Sequence, residues 1–135
     1  MTAPTSIVTG VDFVSVPTRD LDAAMDFYGN VLGLPRSSLW QRPGHDPVGA
    51  EFETGTVTIA LLACEPLGIE FSPNKVPIAL RVDDVAAARA ELESRGVTFA
   101  ADTIDSGVCH QALFRDPDGN SLDLHRRYAP FERDA

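Results

Sequence analysis

Three residues near the C-terminal end of the sequence could do acid–base or metal chemistry: His110, Asp123 and His125. They flank the tetrapeptide Asp-Pro-Asp-Gly at 116–119, where proline presets φ, aspartate bonds nearby backbone and glycine accepts a positive φ. Such a turn predicts a β-hairpin in which the two histidines lie opposite each other and the carboxylate lies diagonal to one of them. This group could exchange protons with a ligand or hold a metal ion, or its members could be polar pocket residues that hydrogen-bond to each other.

The register of this hairpin decides which residues share a face. Pairing Arg115 with Asn120 places Phe114 opposite Ser121, on the same face as the two histidines, and turns the three leucines of the hairpin to the other face. We therefore expect an apolar face covered by a helix and a polar face that looks into water or a pocket.

Further side chains are candidates for ligand binding because strand alternation turns them to the same open side of the sheets. Glu51 and Glu53 could take up a proton or bind a cation, and solvated edge positions are the alternative. Arg81 could bind a substrate carboxylate or phosphate, or form a salt bridge to one of these glutamates. The other candidates could line a pocket for a ligand: Phe13, Ser15, Trp40, Thr58, Phe114 and Ser121. The aromatic residues among them could instead belong to the hydrophobic core.

Composition and charge exclude several classes of function. The 135 residues include 11 basic and 20 acidic side chains, and the net charge of −9 repels nucleic acid and anionic membranes. No stretch approaches the roughly 20 apolar residues of a membrane span, and residues 1–6 lack the basic and apolar regions of a signal peptide, so we expect a cytoplasmic protein. No glycine-rich phosphate loop or nucleophile elbow is present.

Hydrophobic periodicity predicts the same order of elements twice. The first half contains a strand at 11–16, a helix from Asp20 to Gly33, a segment around Trp40 that could be a strand, and a hairpin at 49–64. The second half contains a strand at 76–82, a helix from Asp83 to Gly96, a strand at 98–103 and a hairpin at 110–127. We predict one α+β domain over 1–135: βαβββ modules at 11–64 and 76–127, a linker at 65–75 and a tail at 128–135, with mixed sheets whose uncovered faces can form a cup.

Short motifs occur in both halves of the sequence. The first half carries Asp20-Leu21, Phe27-Tyr28 and Val31-Leu32-Gly33-Leu34, and the second carries Val82-Asp83-Asp84-Val85 and Arg115-Asp-Pro-Asp-Gly-Asn120. Together with the double pattern, these motifs resemble the vicinal oxygen chelate superfamily, which includes glyoxalase I, extradiol dioxygenases and the bleomycin and fosfomycin resistance proteins. The resemblance covers residues 11–127 and implies the paired βαβββ fold with a cup for a small molecule.

The resemblance also implies a divalent metal held by side chains from the first and last strand of each module. The four corresponding positions are Phe13, Ala60, Pro77 and Asp123, and only the last offers a ligand atom. We therefore expect no cofactor and no metal at the usual position. If a divalent metal binds, we expect it only at a displaced site formed by Asp123 with His110 and His125.

Two main interpretations of function follow. The first is a glyoxalase or bleomycin-resistance type protein that binds a small organic molecule in its cup, either as a binder or as a metal-free enzyme. The second is a metal-dependent lyase or dioxygenase that uses the displaced site, and a weaker third is a partner-binding subunit without ligand chemistry. The resemblance and the exposed sheet edges together predict a homodimer.

Overall fold

The computed structural model describes residues 5–131 and consists of two modules with the same order of elements. The first module comprises β1 (Phe13–Thr18), α1 (Leu21–Asp26, continued by a π-helical turn at Phe27–Val31), β2 (Arg36–Trp40), β3 (Gly49–Glu53) and β4 (Thr58–Ala63). The second comprises β5 (Ile78–Arg81), α2 (Val85–Ser94), β6 (Ile104–Asp105), β7 (Cys109–Arg115) and β8 (Ser121–Arg127).

Each module forms its own four-stranded mixed sheet. The strand orders are β1-β4-β3-β2 and β5-β8-β7-β6, and the first two strands of each order run parallel. Helix α1 packs against β4, and α2 packs against β7 and β8. The predicted α+β class and the two tandem βαβββ modules are therefore confirmed. Within residues 5–131, no helix has the length and apolar character needed to cross a bilayer.

The first helix begins and ends where its caps predict. Asp20 accepts a hydrogen bond from the backbone N–H of Ala23 at 3.1 Å, and Gly33 follows the helix with φ +78°. Between these caps the helix widens into the π-helical turn, which adds one residue to the turn. Both Phe27 and Tyr28 are buried there, so two neighbouring aromatic side chains enter the core.

The second half departs from prediction at two places. Asp84, not Asp83, caps α2, and its carboxylate accepts from Ala87 N–H at 3.0 Å. The strand predicted at 98–103 is wrong: only Phe99 makes an isolated bridge, and the short β6 begins at Ile104. Beyond the buried Phe99 the chain leaves the sheet, and Arg89 of α2 donates to the Ala101 carbonyl at 2.8 Å.

The register of the closing hairpin is shifted by one residue from the predicted one. Asp116 pairs with Asn120 through a backbone hydrogen bond of 3.0 Å, so Arg115 pairs with Ser121 instead of Asn120. The Asp116 carboxylate reinforces this loop by accepting from the Asp118 and Asn120 N–H groups, both at 2.9 Å. A shift of one residue exchanges the two faces of one strand relative to the other.

The polar side chains of the 116–120 turn join the two modules. Tyr28 donates its hydroxyl to Asp116 Oδ2 at 2.8 Å, and Thr18 donates to Asp118 Oδ2 at 2.6 Å. Asn120 donates to the Pro17 carbonyl at 2.9 Å. All of these side chains except that of Pro17 are buried, and the hydrophobic core beside them contains residues of both modules. The predicted turn is thus also the contact that fixes one module against the other.

The described part of the C-terminal tail is attached to the second module. Tyr128 and Ala129 both donate their backbone N–H to the Val108 carbonyl, at 3.0 and 3.2 Å. The Tyr128 hydroxyl also donates to Asp105 at 2.8 Å. The remainder of the predicted tail, 132–135, lies outside the described residues.

Candidate functional site

The face of each sheet that its helix does not cover is here called an open face. On the first open face, Phe13 of β1 lies beside Thr58 of β4, and Ser15 lies beside Ala60. Strand β3 adds two acidic side chains to this face, because Glu51 pairs with Ala60 and Glu53 pairs with Thr58. All the ligand-binding candidates of the first module therefore share one face: Phe13, Ser15, Trp40, Glu51, Glu53 and Thr58.

An aromatic corner stands at the edge of the first open face. The rings of Phe13 and Trp40 meet edge to face, with centroids 6.2 Å apart. The Trp40 indole donates to Glu51 Oε2 at 2.8 Å, and it lies over Gly49, where a Cβ would come within 2.8 Å of the ring. Because the indole is held in place and Phe13 is 45% exposed, the corner offers a preformed apolar surface for a flat molecule.

Glu53 is a fixed anion on the same face. It accepts hydrogen bonds from the hydroxyls of Ser37 and Thr58, the latter at 2.7 Å. The bond from Ser37, followed by that from Thr58, lowers the pKa of Glu53 below its ordinary value. A carboxylate with a lowered pKa is a poor base at neutral pH, so this residue is better suited to binding than to proton uptake.

The second open face is built around β8. Ser121, Asp123 and His125 alternate along this strand and point to the same side. On β5, Ala79 lies beside Asp123 and Arg81 lies beside His125. The predicted residues Arg81, Ser121, Asp123 and His125 are therefore brought onto one face.

Asp123 is the most unusual group on this face. Its side chain is buried, with the residue only 3% exposed, and Oδ1 has no hydrogen-bond partner in the described part of the chain. Burial raises the pKa of Asp123, while the nearby His125 and the backbone N–H of Ala112 oppose the rise. A buried acceptor left without a donor costs about 1–3 kcal/mol, so such a group is a candidate for contact with a ligand.

Two predicted site residues lie elsewhere because of the shifted register. His110 pairs with Arg126 on the helix-covered face, while His125 pairs with Gln111 on the open face. His110 instead approaches Asp105 at 3.4 Å and packs against Tyr128, with ring centroids 4.8 Å apart. The predicted opposition of the two histidines is therefore wrong, and His110 lies on the other side of the sheet from Asp123 and His125.

Phe114 is the second displaced residue. It is 2% exposed and packs in the core against Phe99 and Phe27, with ring centroids 5.1 and 6.5 Å away. Its predicted place on the open face is taken by Leu113, which pairs with Asp123 and is 37% exposed. The sequence prediction missed both Leu113 and Ala79 as neighbours of Asp123; correct hairpin pairing would have identified the first, and strand alternation the second.

Comparison with known proteins agrees with this architecture. Residues 10–124 match the family model described as the Glyoxalase/Bleomycin resistance protein/Dioxygenase superfamily. The chain belongs to this superfamily. A protein of Mycolicibacterium smegmatis described as uncharacterized is 32% identical over 123 residues, which are 91% of this chain and 96% of that protein.

Two similar solved structures are of proteins from Streptomyces sp. CB03234. TnmS3, described as an antibiotic binding protein, has a TM-score of 0.75 and 28% identity, covering 91% of this chain and 99% of its own. A glyoxalase/bleomycin resistance protein from the same source has a TM-score of 0.68 and 29% identity, covering 87% of this chain and 100% of its own. These values support the paired-module fold.

The metal that the glyoxalase superfamily implies does not fit this donor set. Phe13 presents a ring, Ala60 a buried methyl group and Pro77 a saturated ring, so three of the four corresponding positions offer no lone pair. Asp123 alone cannot hold a divalent ion in competition with water. Within residues 5–131, no three His, Cys, Asp or Glu side chains are grouped closely enough for a metal ion.

Proposed function

We propose that this member of the glyoxalase superfamily binds a small organic molecule against its open faces and does so without the family metal. The observation that carries the proposal is Asp123, a buried carboxylate with an unpartnered oxygen in the middle of an open face. Arg81 and His125 stand beside each other on the same face, so charged and hydrogen-bonding groups converge there. The description of TnmS3 as an antibiotic binding protein is consistent with this function.

We propose further that two copies of the chain complete the site. Strands β2 and β6 each end a sheet, and exposed edges favour pairing with another chain. Side-chain hydrogen bonds between the modules involve the 116–120 turn and Arg95, and among residues 5–131 none joins one open face to the other. A second copy could therefore bring its own open face against this one.

Binding can be tested with metal-depleted protein and a panel of aromatic natural products, measured by thermal shift and native mass spectrometry. Phe13→Ala should weaken binding because it removes half of the aromatic corner, whereas Ile69→Ala should leave binding unchanged. Ile69 is a suitable control because it is 48% exposed and lies in the linker. Equal affinities of the wild type and Phe13→Ala would count against the proposal.

A further inference from the structure

Asp123 Oδ1 is buried and has no hydrogen-bond partner within residues 5–131. The backbone N–H of Ala112 lies near the Asp123 carboxylate, and the cross-strand neighbours Ala79 and Leu113 carry only hydrocarbon side chains. Along β8, Ser121 and His125 are two residues away, which is about 7 Å between Cα atoms in a strand. A bound molecule that reaches Oδ1 can supply the donor that these side chains do not.

The charges around Asp123 favour a neutral donor over a cationic one. Arg81 lies beside His125, and Arg115 lies beside Ser121 on the same face. Neither arginine makes a salt bridge or a side-chain hydrogen bond within residues 5–131, so both guanidinium groups remain available. Two guanidinium groups near a single carboxylate repel a cationic ligand and attract an anionic one.

We infer that the second open face recognises an organic acid that carries a neutral O–H or N–H donor: the donor binds Asp123 Oδ1 and the acid group binds Arg81. This inference rests on the proposed function and names the ligand class for that site. Arg81 and Asp123 are diagonal neighbours on adjacent strands, about 7–8 Å apart, because Arg81 is beside His125 and Asp123 is two residues from His125. A single aromatic or short aliphatic spacer between donor and acid matches this separation.

Three matched probes separate the two contacts: 4-(hydroxymethyl)benzoate, its methyl ether, and 4-(hydroxymethyl)benzamide. The ether lacks the donor, and the amide lacks the anion. In the wild-type protein, calorimetry should give the hydroxyl acid about tenfold higher affinity than the ether, since a hydrogen bond to a charged group strengthens binding by at least this factor. It should also bind more tightly than the amide.

Two substitutions test whether Asp123 causes the preference for the hydroxyl group and Arg81 causes the preference for the acid group. Asp123→Asn should reduce the preference for the hydroxyl acid over the ether to less than about threefold, because a neutral amide oxygen is a weaker acceptor. Arg81→Gln should remove the preference for the acid over the amide and keep the hydroxyl preference. Asp83→Asn is the control, because it removes the same charge from an exposed position outside both open faces.

A measurement on the wild-type protein tests the contact at Asp123 even if a variant fails to fold. In wild-type protein, the ¹³C shift of the Asp123 carboxyl should change with the hydroxyl acid and stay constant with the ether. Equal affinities for hydroxyl acid and ether, an unchanged preference in Asp123→Asn, or no binding of any probe would overturn the inference. If other molecules still bind with dependence on Phe13, the proposed function survives that result; if no small molecule binds either open face, the proposed function fails as well.

Discussion

At the residue scale, two carboxylates on the open faces differ because of what surrounds them. Glu53 accepts from two hydroxyls and its pKa is lowered, whereas Asp123 has an unpartnered oxygen and burial raises its pKa. Hydrogen bonds within the protein therefore satisfy the Glu53 carboxylate, whereas Asp123 Oδ1 keeps no partner within residues 5–131. This contrast supports the proposed ligand contact at Asp123.

Removing the charge of Asp123 should stabilise the free protein at neutral pH. A raised pKa means that the folded state keeps this proton where the unfolded chain has released it, so stability falls as the pH rises from the ordinary carboxyl pKa through the folded value. The stability of Asp123→Asn should show no such decrease with pH, because the amide does not ionise. Urea unfolding between pH 4 and 8 should give the variant a flatter profile than the wild type.

The control for that experiment is Asp83→Asn, which should keep the wild-type pH profile. Parallel profiles for the wild type and Asp123→Asn would mean that burial does not disfavour the Asp123 charge, and would contradict its assignment as an unsatisfied group.

The strand faces of the candidate site residues were predicted more accurately in the first module than in the second. In the first module, strand alternation alone placed Phe13, Glu51 and Thr58 correctly, because β3 and β4 pair directly across a simple hairpin. In the second module, the backbone hydrogen bond between Asp116 and Asn120 replaces the predicted pairing of Arg115 with Asn120, and the pattern of apolar residues does not encode this detail of the turn.

At the element scale, the 116–120 turn of the second module fixes the two modules against each other through hydrogen bonds. Its residues are recognisable as a turn from sequence, but their hydrogen bonds to Thr18 and Tyr28 span about a hundred residues of chain and depend on the tertiary fold. Helix limits were easier to predict because the caps at Asp20 and Gly33 act locally.

Tyr28→Phe should destabilise the protein by about 1–3 kcal/mol, because it removes a buried hydrogen bond to Asp116 while keeping the aromatic ring. Urea unfolding monitored by circular dichroism measures this change. Burial and the neighbouring Asp116 also raise the pKa of Tyr28, so its contribution to stability is present below the ordinary tyrosine pKa and is lost only at more alkaline pH.

Tyr128→Phe is the matched control for this prediction. Its hydroxyl donates to Asp105 in the same way, but Tyr128 is 50% exposed, so water replaces the lost bond and the expected destabilisation is below about 0.5 kcal/mol. Equal effects of the two substitutions would show that the turn does not lock the modules.

At the scale of the whole molecule, the modules share one core on their helix side, and no side-chain hydrogen bond within residues 5–131 joins their open faces. Phe27 of the first module packs against Phe114 of the second within this core. Sequence periodicity predicted the two modules but could not decide how their open faces meet, since that depends on contacts between modules and between copies.

Sedimentation equilibrium should therefore give the mass of a homodimer at micromolar concentration. The physical reason is that β2 and β6 end their sheets, and that apolar side chains of the open faces, such as Phe13 and Leu113, are partly exposed. A stable monomer at this concentration would contradict the proposed completion of the site by a second copy.

Metal-independent binding of small molecules to the open faces can be measured by ¹³C methyl NMR of chelator-treated protein, confirmed metal-free by elemental analysis, during titration with benzoate and benzamide derivatives. We expect shift changes at Ala60, Ala79 and Leu113 on the open faces, with no change at Leu92 in the core, and the same affinities after zinc, nickel or iron is added. Binding that appears only after a metal is added, or shift changes confined to the helix side, would contradict the proposed function.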